Sequence, residues 1–84
     1  MIIVEGEARL APGEIERLAG AMRAQIEATR AERGCLHYSY AQDVLDPQLL
    51  QIREIWTDEA ALEAHFRSEH MAAFNRAFGQ AKIE

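Results

Sequence analysis

Residues 35–56 read CLHYSYAQDVLDPQLLQIREIW and contain two alternating runs on either side of a turn. In residues 35–42 and again in residues 49–56, the side chains fall into two alternating sets with a period of two residues. Such a period is typical of β-strands, and Asp46-Pro47 between the runs marks a turn. The stretch therefore predicts a β-hairpin.

Alternation assigns the side chains of this hairpin to two faces. On the helix-facing side we expect Leu36, Tyr38, Tyr40, Leu50, Ile52, Glu54 and Trp56. Glu54 is the one charged member of that set. A carboxylate in such a place is costly unless it is paired or functional. We therefore expect Glu54 either to pair with Arg9 or Arg23 or to take part in a site.

Upstream of the hairpin lie a strand and a helix. Residues 2–10 alternate from Val4 onward, which indicates a strand, and Ala11-Pro12-Gly13 ends it. Apolar positions then recur every three or four residues, as in an amphipathic helix, at Ile15, Leu18, Met22, Ile26 and Thr29. Gly34 stands where the C-terminal cap of this helix is expected.

Downstream of the hairpin the sequence predicts two short helices. Asp58 is a plausible N-cap for the first, which carries His65 and Phe66 on its inner side, and Ser68 is a plausible N-cap for the second. The order is then β-α-β-β-α-α, a split β-α-β pattern typical of ferredoxin-like α+β folds with an antiparallel sheet. We expect one domain over residues 1–84, with a final strand in residues 79–84 short or missing.

Bulk properties narrow the class of protein. Eighty-four residues form one small domain with a marginal core, and we expect helices on one sheet face and a second copy of the chain on the other. The net charge of −5 argues against a nucleic-acid partner, and no apolar run is long enough to cross a membrane. The single cysteine, Cys35, and an N-terminus unlike a signal peptide favour a cytoplasmic setting.

Two histidines are candidates for proton transfer. His65 lies on the inner stripe of its helix and His70 in the first turn of the next, and imidazole is well matched to proton transfer near neutral pH. The structural alternatives are a core-edge histidine and a solvent-facing turn residue. A metal site would need a third ligand such as His37, which alternation places on the opposite sheet face, so we expect none.

Other side chains are candidates for the wall of a substrate pocket. These are Trp56, Tyr38, Glu54, Phe66, Met71 and Phe74. Trp56 could stack on a planar ring, and Tyr38 could hydrogen-bond a substrate oxygen. Packing is the alternative role of each aromatic residue.

Three segments together resemble a known family: Gly34-Cys35-Leu36-x-Tyr38, Trp56-x-Asp58 and His65-x-x-Ser68-x-His70-Met71. In order and spacing over residues 1–80, the chain resembles the antibiotic biosynthesis monooxygenase domain, and within it the small bacterial quinol monooxygenases. The resemblance implies a dimeric α/β barrel. It also implies oxygenation of a small aromatic substrate by dioxygen without flavin, haem or metal, which agrees with a sequence that has no cofactor-binding motif.

Two positions separate the chain from other branches of that family. Ile52 stands where polyketide-tailoring members have an asparagine, and Asn75 stands where haem-degrading members have the haem ligand. A third branch isomerises a phosphorylated sugar acid and shares the His-x-x-x-x-His pattern, and Arg67 and Arg76 would suit its substrate. A dimeric domain that binds a ligand without turning it over is a further alternative.

Overall fold

The structure is a computed structural model that describes residues 1–79 of the 84. Its elements are β1 (Ile2–Arg9), α1 (Glu14–Arg30), β2 (Cys35–Gln42), β3 (Leu49–Trp56), α2 (Glu59–Phe66) and α3 (Glu69–Phe78). This is the predicted β-α-β-β-α-α order. Residues 80–84, on which the expected final strand depends, lie outside the described residues.

The strands of residues 1–79 form a three-stranded sheet in the order β1-β3-β2. Both outer strands are antiparallel to β3, and they are therefore parallel to each other. The connection between two parallel strands needs a crossover, which α1 supplies. This is a split β-α-β unit, so the predicted α+β ferredoxin-like fold is confirmed.

A β-bulge at the start of β2 changes one predicted face. The pairing register slips between Cys35 and His37, so that Cys35 lies opposite Trp56. Leu36 is 58% exposed, whereas Tyr38 is 2% exposed. The expectation that Leu36 shares the buried face with Tyr38 is therefore wrong, because the bulge adds one residue and resets the alternation.

The helix-facing side of the sheet packs against one stripe of α1. The buried residues of this helix are Glu14, Ile15, Leu18, Met22, Gln25 and Thr29. Gln25 is 2% exposed and takes the place that the sequence assigned to Ile26, which is only partly buried. Gln25 follows Met22 by three residues and Ile26 follows it by four. Both spacings fit one helix face, so periodicity alone does not distinguish Gln25 from Ile26.

Gly34 lies beyond the end of α1 rather than at its cap. The helix ends at Arg30, and Gly34 adopts a left-handed φ of 88° in the turn before β2. A Cβ on this residue would lie 2.6 Å from Cβ of Ala61 and 2.8 Å from Oγ1 of Thr57. Glycine is thus required both by the backbone angle and by the close approach of α2.

Candidate functional site

Two capping side chains begin α2 and α3. Asp58 accepts a hydrogen bond from the backbone N–H of Ala61 at 2.9 Å, and Ser68 accepts one from Met71 at 3.2 Å. Both N-caps were predicted. Ser68 Oγ also donates to the carbonyl oxygen of His65 at 2.7 Å, which ties the end of α2 to the start of α3. The bend brings His65 and His70 to the same side of the chain.

The turn after α1 brings a carboxylate to these histidines. The backbone N–H of Glu32 donates to Thr29 at 2.9 Å, and the carbonyl of Glu32 accepts from Cys35 at 3.2 Å. The carbonyl of Gly34 accepts from the N–H of Thr57 at 2.9 Å. The turn is therefore held at both ends and against the segment that begins α2.

One oxygen of Glu32 contacts both histidines. Its Oε2 lies 2.7 Å from Nδ1 of His65 and 2.7 Å from Nε2 of His70. A carboxylate can only accept hydrogen bonds, so each of these ring nitrogens carries a hydrogen. A neutral His65 then has Nε2 free to accept, and a neutral His70 has Nδ1 free.

Burial differs between the members of this cluster. The side chain of His65 is 1% exposed, that of Glu32 16% and that of His70 26%. His65 is thus an interior residue, whereas His70 reaches the surface. The expectation that His65 lies on the inner stripe is correct, and solvent reaches the pair through His70.

The same donor atoms are of the kind that bind divalent ions. Those of Glu32, His65 and His70 lie within 4.8 Å of one another. The third donor is Glu32 rather than His37, which instead hydrogen-bonds Ser39 at 2.9 Å. Both contacts to Glu32 have the length of a hydrogen bond, and each histidine nitrogen supplies the hydrogen. A metal ion could bind these nitrogens only by displacing both hydrogens.

Aromatic rings enclose the buried histidine. The ring centre of His65 lies 4.8 Å from that of Trp56 and 5.4 Å from that of Tyr38. Glu54 is on the helix-facing side, as predicted, and accepts a hydrogen bond from Nε1 of Trp56 at 3.0 Å. Its partner is therefore neither of the expected arginines, since Arg9 pairs with Asp46 and Arg23 with Glu27.

A chain of hydroxyl and amide groups continues from these rings. The hydroxyl oxygens of Tyr38 and Tyr40 lie 2.6 Å apart and share a hydrogen bond. Nε2 of Gln25 lies 3.3 Å from the hydroxyl oxygen of Tyr38 and 3.2 Å from Sδ of Met71. Burial raises the pKa of both tyrosines, and for Tyr40 the bond to Tyr38 raises the pKa further. Both phenols therefore stay protonated at neutral pH.

A cleft between α1 and α3 reaches this network from the surface. Its volume is about 140 Å³, and its lining residues are Ala21, Ala24, Gln25, His70, Ala73 and Phe74. Gln25 Oε1 and Thr29 Oγ1, beside it on α1, are buried without a hydrogen-bond partner of good geometry among the described residues. The cleft thus joins small apolar walls to polar groups and to the exposed histidine.

The predicted site residues fall into three groups. His65, Trp56, Tyr38 and Glu54 form one buried contact network, while His70 and Phe74 line the cleft. Met71 touches the network through Gln25. Phe66 is 58% exposed, and its place in a pocket wall stays a prediction.

The sequence did not predict Glu32 or Gln25 as residues of the site. Glu32 belongs to no periodic stripe and lies 33 residues from His65 in the chain, so only tertiary packing brings the two together. Gln25 could have been predicted. It follows Met22 by three residues, and this helical spacing places both residues on the same face of α1.

Comparison with known proteins identifies the family. The family profile of antibiotic biosynthesis monooxygenase matches residues 1–77. The chain belongs to this family. A crystal structure described as an antibiotic biosynthesis monooxygenase is similar to it, with 29% identity, a TM-score of 0.88, and coverage of 98% of this chain and 86% of the other.

Two further structures and two relatives are similar to this family member. A Pseudomonas aeruginosa protein shares 36% identity and a TM-score of 0.85 over 98% of this chain and 82% of its own. A conserved Methanosarcina mazei protein shares 26% identity and a TM-score of 0.88, over 98% of this chain and 84% of its own. An uncharacterised Synechocystis protein is 30% identical over 87% of this chain, and human N-terminal EF-hand calcium-binding protein 3 is 30% identical over 90%.

The chain spans 50% of the length of the Synechocystis relative and 19% of the human one. None of the helices within residues 1–79 is long and apolar enough to cross a membrane.

Proposed function

We propose that this protein is a monooxygenase that oxidises a small quinol-like aromatic substrate with dioxygen and needs no bound cofactor. The observation that carries the proposal is the Glu32–His65–His70 cluster, which opens through His70 onto the cleft between α1 and α3. A carboxylate-linked histidine at a cleft is suited to removing a phenolic proton. Membership of a family named for monooxygenases supports the same reaction.

The chemistry asked of the protein is deprotonation and positioning. A hydroquinone hydroxyl would give its proton to His70, and the more electron-rich anion would then transfer an electron to dioxygen. One oxygen atom would enter the ring and the other would leave as water, so that a hydroquinone becomes a hydroxyquinone. The apolar walls of the cleft would keep bulk water from the reacting ring.

The base we favour is His70, although the sequence had favoured His65. His65 is 1% exposed and would require an opening of the core before a substrate could reach it. His70 is 26% exposed and lines the cleft. Trp56 and Tyr38, at 0% and 2% exposure, would then support the cluster from behind rather than touch the substrate.

The size of the cleft favours a substrate with one aromatic ring. A cavity of about 150 Å³ in another protein holds one benzene molecule, and the volume here is about 140 Å³. Ala21, Ala24 and Ala73 form its small-residue wall, and Phe74 could stack on a bound ring. A fused polycyclic substrate would need the two helices to separate.

The active form would be a homodimer in the cytoplasm. The sheet face away from the helices carries Ile3, which is 51% exposed, and a hollow of about 630 Å³ lined partly by Glu5 and Arg53. A second copy could cover this face. The single cysteine fits a reducing compartment, and sedimentation at micromolar concentration would test the dimer.

The reaction is tested by oxygen uptake with single-ring hydroquinones and ¹⁸O₂. We expect one labelled atom in the product and one in water. Replacement of His70 by Gln should lower turnover by at least about tenfold, because general-base catalysis typically contributes about 10²–10⁴-fold. The matched control is His37→Gln, which changes the exposed histidine bonded to Ser39 and should leave turnover unchanged.

Other outcomes would identify the alternatives. Turnover of a phosphorylated sugar acid without oxygen uptake would indicate an isomerase, although neither Arg67 nor Arg76 is among the cleft-lining residues. Binding of an aromatic ligand without any product would indicate a binding domain. Equal rates for the parent and the His70→Gln variant would remove the histidine from the mechanism.

A further inference from the structure

We propose that Glu32 is a positioning residue that couples His65 and His70 into one unit and determines which nitrogen of each ring is free to take a proton. No sequence motif marks this glutamate, and it does not line the cleft. Its effect on a substrate would therefore pass through the histidines. The kinetic part of this proposal rests on the proposed function, whereas the structural part does not.

The geometry leaves little freedom to the two rings. A single oxygen, Oε2, lies 2.7 Å from Nδ1 of His65 and 2.7 Å from Nε2 of His70. In a neutral histidine, the hydrogen bond made by one ring nitrogen fixes the state of the other. His65 is therefore held as the Nδ1–H tautomer and His70 as the Nε2–H tautomer, which leaves Nδ1 of His70 as the acceptor.

The backbone around Glu32 supports this role. The turn is closed by hydrogen bonds to Thr29 and Cys35, and Gly34 packs against Ala61 in α2. The carboxylate is only 16% exposed and is thereby largely withdrawn from water. A partly buried carboxylate is costly unless it accepts hydrogen bonds, and the two imidazoles supply them.

The charge of Glu32 also matters for the proton step. When Nδ1 of His70 takes a hydroxyl proton from a substrate, the ring becomes an imidazolium with hydrogens on both nitrogens. The bond from Nε2 to the Glu32 carboxylate, in which only the acceptor was charged, then joins two opposite charges and becomes stronger. Deprotonation later returns the proton from Nδ1 to solvent, which His70 reaches at 26% exposure.

Several other polar groups surround this cluster. Tyr38 and Trp56 pack on His65, Glu54 is bound to the indole of Trp56, and Cys35 lies near Glu32 on the adjoining strand. Among residues 1–79, Glu32 is the one group that forms an ion-pair contact with either His65 or His70. Removal of its charge should thus act on the pair directly.

Nitrogen-15 NMR of the three histidines tests the structural part without substrate. We expect the Nδ1–H form for His65 and the Nε2–H form for His70. In free histidine the Nε2–H form predominates, so His65 is the diagnostic signal. Glu32→Ala should abolish the preference at His65, whereas Glu32→Gln should preserve it, since an amide oxygen still accepts. The control Glu63→Gln, on the exposed side of α2, should change nothing.

The Glu32→Gln variant also separates charge from geometry. It should lower kcat by at least about tenfold while KM for a hydroquinone changes by less than about twofold, because Glu32 does not touch the cleft. An Nε2–H form for His65 in the parent, an unchanged kcat in a folded Glu32→Ala variant, or a rise in KM alone would overturn the proposal. So would stoichiometric Zn²⁺ binding at these nitrogens in a titration of the parent protein.

Failure of this proposal and failure of the proposed function are distinguishable. A protein with the expected tautomers that never consumes oxygen would retain the role of Glu32 as a positioning residue and would lose the monooxygenase. A protein that oxidises hydroquinones equally well with Glu32→Ala would do the opposite.

Discussion

The two ends of the space between sheet and helices are built differently. At one end the buried side chains form an apolar cluster of Leu10, Ile15, Leu18, Met22 and Leu50. At the other end the buried side chains are Gln25, Thr29, Tyr38, Trp56 and His65, and all five carry polar atoms. The helix α1 runs along both. Apart from Glu14 at its first position, its buried residues are apolar up to Met22 and polar from Gln25 onward.

The apolar end and the polar end contribute differently to the free energy of folding. Burial of apolar side chains favours folding without geometric demands, whereas a buried polar group must find a partner. At the polar end, Gln25 Oε1 and Thr29 Oγ1 have no partner of good geometry among residues 1–79. The apolar end therefore supplies burial without geometric demands, whereas the polar end supplies the residues of the proposed site.

Alkaline pH should act on the polar end and give the largest effect. The chain has two tyrosines, Tyr38 and Tyr40, and burial raises the pKa of both in the folded state. In the unfolded chain tyrosine ionises near pH 10. Stability should therefore be complete below about pH 10 and fall as the pH rises above it, because the unfolded state then binds fewer protons.

Absorbance at 295 nm checks this prediction, since it reports on these two phenols alone. We expect no phenolate signal near pH 10 while the protein is folded and a signal that rises together with unfolding. The variant Tyr40→Phe should weaken the pH dependence. A normal titration near pH 10 in the folded protein would contradict it.

Leu50→Ala tests the apolar end. Leu50 is 2% exposed, and removal of such a side chain costs about 2–5 kcal/mol through lost burial and the cavity left behind. Denaturant unfolding should show this loss. Where the variant remains folded, its histidine tautomers should match those of the parent, and altered tautomers would show that the two ends are coupled.

Thr29→Val tests the polar end with nearly the same side-chain volume and should have the smallest effect. Thr29 is 0% exposed and its hydroxyl lacks a well-formed hydrogen bond. Loss of a hydroxyl that makes no more than a weak contact with Tyr38 should leave the free energy of unfolding unchanged or raise it by about 1 kcal/mol. Destabilisation by more than about 1 kcal/mol in denaturant unfolding would indicate a partner for this hydroxyl and would weaken the contrast between the two ends.

Local patterns predicted most of the fold. Alternation located the strands, spacings of three and four located α1, and the side chains of Asp58 and Ser68 marked where α2 and α3 begin. Each of these signals acts within a few residues of chain. Two exceptions, Leu36 at the bulge and Gln25 in place of Ile26, arise where a neighbour one residue away could satisfy the same pattern. A third is Gly34, which lies in the turn beyond α1 instead of capping it.

The site was predicted only in part. The sequence placed His65 on the inner side of α2 and His70 in the first turn of α3, and the structure agrees. The partner of both, Glu32, was not found, nor was the bond between Glu54 and Trp56. Which histidine meets the cleft also required the structure, since exposure depends on what packs around a residue.

The sequence by itself determined the order of elements, the face of each strand away from the bulge, and the N-caps of α2 and α3, because these depend on interactions between near neighbours. The tertiary structure alone decided that a glutamate in the turn after α1 meets two histidines 33 and 38 residues later. The physical reason is that the crossover of α1 and the bend at Ser68 bring distant segments together, and no local pattern encodes that distance.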